Sequence, residues 1–132
     1  MAATFRCTII TPTEAFFEAD VTYVSLPSWD GQMGVMAGRS PALVKLGIGT
    51  LRVQAPGSGD EFFVVDGGFA QMSADTLTIL TERAERASEI DAAGAAGELE
   101  QANADAIGGG IDRDEAEAAQ ARARSRLAAA RG

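Results

Sequence analysis

Up to about Ala84 the apolar and β-branched residues fall into short runs separated by Gly, Pro, Asp and Ser, the pattern of half-buried strands joined by turns. The runs are Phe5–Ile10, Phe16–Phe17, Val21–Leu26, Met33–Met36, Thr50–Gln54, Phe62–Val65, Phe69–Met72 and Thr76–Leu80. In the last of them Leu77, Ile79 and the small Thr81 point one way while Thr76, Thr78 and Leu80 point the other, a period-two alternation. Turn chemistry is concentrated at Pro27-Ser28-Trp29-Asp30-Gly31, at Ala55-Pro56-Gly57-Ser58-Gly59-Asp60 and at Asp66-Gly67-Gly68. Many short strands at close spacing predict a β-sandwich or a flattened barrel.

From Glu82 onward the pattern changes: the chain turns Ala-rich, loses Pro and aromatic residues, and keeps Ile90, Ile107 and Ile111 as its β-branched residues. Two helices are predicted, over Glu89–Ile107 and Arg113–Ala130, broken by Gly108–Gly110, a run that no helix interior tolerates. Asp112 with Glu115 three residues on has the arrangement of a capping box at the second start. The short connection makes an antiparallel hairpin. Its large apolar residues are few, Ile90, Leu99, Ile107 and Leu127, and Gly94 and Gly97 fall inside the first helix, so weak docking is expected. Acids dominate from Glu89 to Glu117, whereas Arg122, Arg124, Arg126 and Arg131 follow with no acid. Folding about Gly109 is expected to bring Arg122 near Glu98 and Glu100, and Arg131 near Glu89, with the arginines also at the negative end of the helix dipole. A solvated, salt-laced surface helix is the plainer account of the same charges.

Composition narrows the function. The 132-residue chain carries a formal net charge of −8, which excludes nucleic acid as a partner because phosphate binding needs clustered Lys and Arg. It contains no histidine and one cysteine, which removes Ser-His-Asp and Cys-His nucleophiles, histidine-containing zinc sites and any disulfide within the chain. Cys7 alternates with Phe5 and Ile9 and is expected to be a core thiol. No apolar run approaches the ~20 residues of a membrane helix, and the start has no secretory-signal pattern. A soluble cytoplasmic protein, or a soluble part of something larger, is expected, without direct membrane insertion.

No catalytic set emerges. Gly31, Gly34 and Gly38 match neither a dinucleotide fingerprint nor a P-loop, and bulges or turns explain them. Asp60, Glu61 and Asp66 flank a strand with no nucleophile nearby. Neither a metal site nor a cofactor is expected. Trp29, alone of its kind and at a turn tip, either folds back over the end of the sandwich or offers a contact surface.

The stretch Gly31-Gln32-Met33-Gly34-Val35-Met36-Ala37-Gly38-Arg39-Ser40-Pro41-Ala42-Leu43 resembles the conserved loop of the ATP synthase epsilon subunit family. That loop commonly reads Gly-Glu-apolar-Gly-apolar-apolar-Pro-Gly-His-x-Pro-x-Leu. Val65-Asp66-Gly67-Gly68-Phe69, Leu77-Thr78-Ile79-Leu80 and Ala84-Glu85-Arg86-Ala87-Ser88-Glu89-Ile90-Asp91 follow in the family's order, so the likeness covers essentially the whole chain. Three departures stand in the loop: Gln32 where Glu is frequent, Ala37 for Pro, and Arg39 for His.

The resemblance implies a flattened β-sandwich of about ten strands over residues 1–87, followed by a helix-turn-helix over residues 88–132. It implies a non-catalytic central-stalk subunit of a proton-translocating ATP synthase, whose sandwich binds the gamma subunit and touches the c-ring. Its hairpin would reach toward the catalytic beta and alpha subunits and restrain ATP hydrolysis through Arg122, Arg124 and Arg126. Carried onto this chain, Trp29, Asp30, Gly31, Gln32 and Met33 would face the c-ring, and Arg39, Ser40, Pro41, Ala42 and Leu43 would face gamma. The protein would sit at the cytoplasmic face of an energy-transducing membrane, held there by the complex. Some members bind ATP through an Ile/Leu-Asp-x-x-Arg-Ala motif; here Ile90, Asp91 and Ala95 match but Gly94 replaces the arginine. Loss of that donor fork makes ATP binding weak or absent the expectation, with Arg122 or Arg126 the candidates to compensate. A free-standing β-sandwich ligand-binding module with a helical dimerisation tail is the alternative.

Overall fold

The computed structural model describes residues 3–38, 40–57, 59–109 and 112–131; Arg39, Ser58, Gly110 and Ile111, all read above, lie outside them. Eight strands form one continuous hydrogen-bonded sheet: β1 (Phe5–Ile10), β2 (Ala15–Val21), β3 (Tyr23–Ser28), β4 (Gly31–Met36), β5 (Ala42–Ala55), β6 (Gly59–Ser73), β7 (Thr76–Leu80) and β8 (Ala84–Arg86). The order is β2-β1-β7-β6-β5-β3-β4, with β8 beside β6. All pairs are antiparallel except β1 with β7, where Arg6 to Ile10 run alongside Thr76 to Leu80.

The sheet folds into a sandwich because β5 and β6, 14 and 15 residues long, serve both layers. Between Leu46↔Gly68 and Ile48↔Asp66 the β5–β6 ladder skips a rung. There Gly67 and Gly68 take φ of +69° and +102°. A Cβ at Gly68 would stand 1.8 Å from the Leu80 carbonyl oxygen, so the chain bends where a side chain has neither the dihedral nor the room. The predicted turn at Asp66–Gly68 is therefore a bend inside one strand, and Phe62–Val65 and Phe69–Met72 are two halves of β6. Counting β5 and β6 once for each layer accounts for the expected strand number.

Alternation builds the core. Phe5, Cys7 and Ile9 of β1 are buried beside Leu77 and Ile79 of β7, Ala70 and Met72 of β6, and Leu51, Val53 and Phe63 from the other halves of the long strands. Thr81 is buried too, and its hydroxyl accepts from the Asp66 N–H and donates to the Arg83 carbonyl, both at 3.2 Å, so its burial leaves no polar atom unpaired.

A 3₁₀ turn, Ala87–Glu89, leads to α1 (Ala92–Gly108) and α2 (Arg113–Arg131). The first helix starts three residues later than predicted because Asp91 caps it, its Oδ2 accepting from the Gly94 N–H at 3.0 Å. Gly94 thus belongs to the first turn, where its N–H is the group being capped. Gly109, at φ +68°, ends α1 as a left-handed C-cap. Ala95 and Ala102 on α1 and Ala116 and Ala123 on α2 are buried, and Gln120 donates to Asn103 across the hairpin at 2.9 Å.

Candidate interaction surfaces and the hairpin latch

The segment predicted to carry the contacts is mostly strand rather than loop. Trp29 and Asp30 form the β3–β4 turn, and Trp29 is 71% exposed, which decides its reading in favour of a presented side chain. Asp30 accepts from the Ser28 hydroxyl, an arrangement that stiffens the turn. Gly31 and Gln32 are exposed on the edge strand β4, while Met33 packs against the core. The Gln32 amide is engaged locally, accepting from Ser25 at 3.1 Å and donating to the Thr50 carbonyl at 3.3 Å. Ser40, Pro41 and Leu43 are exposed and Ala42 is half-buried at the start of β5; Arg39 lies outside the described residues. The two predicted groups are neighbours, because the Trp29 N–H donates to the Lys45 carbonyl at 3.0 Å, two residues from Leu43.

The hairpin lies over the half of β5 and β6 that precedes the bend in β6. Arg122 does not pair as predicted, and the Arg131 side chain, expected near Glu89, lies outside the described residues. Arg122 reaches the sandwich, Nε donating to Asp66 Oδ2 at 2.7 Å, rather than Glu98 or Glu100 of α1. Arg126 makes the link within the hairpin, to Glu98, and also forks onto Glu85, with Nε at 2.7 Å and a second nitrogen at 3.3 Å. The sandwich acids win because Asp66 and Glu85 are fixed on strands at the hairpin face, whereas Glu100 is exposed on α1. Arg124 is exposed. Bidentate Arg–carboxylate geometry of this kind is among the stronger polar contacts. These groups line a cleft of about 450 Å³ between sandwich and hairpin.

Ile90 closes the 3₁₀ turn, its N–H donating to the Ala87 carbonyl at 3.2 Å. Asp91 uses its carboxylate as the α1 cap, Gly94 brings no side chain, and Ala95 is fully buried. A Cβ at position 94 would lie 3.0 Å from Asp91 Oδ2, so a side chain there would displace the exposed cap carboxylate by a few tenths of an ångström.

Arg86 and Glu85, and Asp66 as an ion-pair partner of the hairpin, were missed as functional candidates. Arg86 stacks its guanidinium 5.3 Å to 5.8 Å from the centroids of Phe63, Phe17 and Phe16 and pairs with Glu61 at 3.1 Å, tying the connector to the sandwich. The run Phe62-Phe63-Val64-Val65 held a usable signal: successive apolar residues mean that both faces are covered, and Val64 is 4% exposed without joining the main core.

A family model described as the β-sandwich domain of the ATP synthase delta/epsilon chain matches residues 4–87. The chain belongs to this family of ATP synthase subunits. Its similarity runs to proteins called ATP synthase epsilon chain. That of Desulforamulus reducens is 36% identical over 98% of this chain and 99% of its own length. That of Rhodopirellula baltica is 44% identical over 60% of this chain and 61% of its own. A chain in the mitochondrial ATP synthase of Euglena gracilis, solved with F1 and c-ring, covers 100% of this chain at a TM-score of 0.85 and 28% identity, with 84% of that chain covered. Membership makes the protein an accessory, non-catalytic chain of ATP synthase. No helix among the described residues is long and apolar enough to cross a membrane.

Proposed function

We propose that the chain is the epsilon-type subunit of the ATP synthase central stalk, joining gamma to the c-ring through its sandwich and restraining ATP hydrolysis through its hairpin. The observation that carries this is likeness over both parts at once: sequence identity spans 98% of the chain, and the structural match covers sandwich and hairpin together. The sandwich, residues 1–87, is the assembly unit, and residues 88–132 are the regulatory one. Trp29 to Gln32 offer an exposed tip to the c-ring, and the segment from Arg39 to Leu43 faces gamma. The complex holds the protein at the cytoplasmic face of the membrane.

With the hairpin docked, Arg122 and Arg126 are occupied by Asp66, Glu85 and Glu98; released, α2 would carry Arg122, Arg124 and Arg126 toward the beta and alpha subunits. ATP binds weakly or not at all, since the motif lacks its arginine and both substitutes are engaged.

Pull-down from a membrane extract with the tagged full chain tests the central claim. Gamma and c-subunit are expected together in the eluate; recovery of neither would favour a free-standing ligand-binding module instead. For the nucleotide, calorimetry on the isolated chain should give no heat of binding at micromolar ATP, and a micromolar dissociation constant would overturn that part.

A further inference from the structure

Thr81 follows β7 directly and continues the inward row of Leu77 and Ile79. An apolar side chain would complete that row, whereas a hydroxyl is costly to bury and is kept only with partners. Among the described residues Thr81 is the one polar side chain that is buried. The backbone it touches does not depend on it for satisfaction, because the Asp66 N–H already donates to the Arg83 carbonyl at 3.2 Å. The Thr81 hydroxyl is a second acceptor for that N–H and itself donates to the same carbonyl, each at 3.2 Å. The three groups close a triangle, which holds the Asp66 backbone in direction as well as in distance.

The triangle stands where the β6 backbone has freedom to spare. Asp66 is followed by Gly67 and Gly68 at φ of +69° and +102°, and the ladder to β5 skips the rung at Gly67; two glycines in sequence allow many directions. The other side of the corner is anchored. The Thr81 N–H donates to the Ile10 carbonyl of β1 at 3.0 Å, and the Leu80 carbonyl closes against Gly68. Through Thr81 the position of Asp66 is therefore tied to β1, β7 and the start of β8 at once.

Asp66 uses that position to hold the hairpin: its Oδ2 accepts from Arg122 Nε at 2.7 Å, with the Asp66 side chain 18% exposed. The three acids that grip α2 differ in footing. Glu98 belongs to α1 and travels with the hairpin. Glu85 lies inside β8, paired through its backbone with Val64. Asp66 borders the glycine pair, so its support has to come from the side. An ion pair of this kind weakens steeply with misalignment, and a group that keeps its carboxylate in line controls its strength.

We propose that Thr81 is the positioning residue of the hairpin latch: acting through Asp66, its hydroxyl keeps the carboxylate in line with Arg122 and so sets how readily α2 leaves the sandwich. The inference deepens the regulatory reading of the hairpin and rests on it for its consequence in the complex. Its test uses the chain alone, so its failure and the failure of that reading are distinguishable.

The test is amide hydrogen exchange on the full-length chain, comparing α2 with β1 and β7, in wild type, Thr81→Val, Thr81→Ser, Arg122→Gln and the double variant Thr81→Val with Arg122→Gln. Thr81→Val leaves no donor unpaired and places a methyl in the core, so the protection of β1 and β7 should be kept. Exchange in α2 should quicken about threefold to tenfold, the scale of one neutral hydrogen bond. Thr81→Ser, which keeps the hydroxyl, should restore the wild-type rate. Arg122→Gln should quicken α2 about tenfold or more, and adding Thr81→Val to it should change nothing further, because the residue through which Thr81 acts has already lost its partner. Full additivity of the two changes would overturn the inference, since Thr81 would then act elsewhere. Equal acceleration of α2, β1 and β7 in Thr81→Val would reduce the residue to core packing and overturn it, as would a Thr81→Ser variant as fast as Thr81→Val or a Thr81→Val variant as slow as wild type.

Discussion

Cys7 is fully buried on β1, flanked in register by Ala19 and Leu77, and burial pushes its thiol pKa from 9.0 up to about 12. The unfolded chain can ionise above its ordinary value while the folded chain holds the proton, so stability is complete below pH about 9 and falls as pH rises. The expected slope is about 1.4 kcal/mol per pH unit between those two values. Urea denaturation of wild type and Cys7→Ala should give parallel stability profiles below pH 9 and converge above it; profiles that stay parallel to pH 11 would show that the thiol does not titrate between the states. At Gly68 both the dihedral and the Leu80 carbonyl oppose a side chain. Gly68→Ala should cost about 3–5 kcal/mol, read as a lowered urea midpoint. The sequence showed Gly67-Gly68 as turn punctuation, but a bend inside a paired strand depends on β5 and β7 on either side, which no local pattern encodes.

Among the elements, β1 and β7 were legible to the residue because their outward positions are largely polar or threonine, leaving clean alternation. The first half of β5 was not: Leu43 points out and Val44 in, and two apolar parities in succession erase the period-two signal. The hairpin was legible from its alanines and glycines, and its partners were not. Arg122 and Arg126 find Asp66 and Glu85 across 56 and 41 residues of sequence, distances at which pattern carries no register. These contacts predict the hairpin's freedom. Arg126→Gln removes the fork to Glu85 and the link to Glu98, which contribute about 1.5–3 kcal/mol as charged hydrogen bonds. Hydrogen exchange in α2 should then accelerate about tenfold to a hundredfold, while amides of β1 and β7 keep their wild-type protection. Equal acceleration in both regions would mean that hairpin and sandwich open as one unit.

For the molecule as a whole, the division at residue 87 makes a strong claim about autonomy. The main core is drawn from the sandwich alone, and Arg86, the last residue of β8, remains with it on three phenylalanine rings. Removing the hairpin bares Val64, a loss of about 1.5–3 kcal/mol at most for that side chain, together with the part of β5 that α2 covers. A fragment of residues 1–87 should therefore fold cooperatively with a β-type circular dichroism spectrum and a reduced urea midpoint. A random-coil spectrum would refute the division. Composition marks a change of character at Glu82, from which proline and aromatic residues are absent and alanine dominates. The exposed apolar positions were less visible, because exposure of Leu43, Phe69 and Leu80 is decided by which way each strand faces after the bend.

The parallel pairing of β1 with β7 has a consequence for synthesis. Residues 6–10 are made some seventy residues before residues 76–80, their central neighbours, and among the described residues β2 is hydrogen-bonded to the sheet through β1 alone. Until β7 emerges from the ribosome, the first two strands have an apolar face and nothing to lay it on. Local hairpins can form on the way, but closure of the sandwich must wait for a loop of some seventy residues to be made. The hairpin is then still inside or barely beyond the exit tunnel. Nascent chains stalled before residue 76 should be protease-sensitive and chaperone-bound, and those with β8 fully outside should be resistant, whether or not α1 and α2 have emerged from the tunnel.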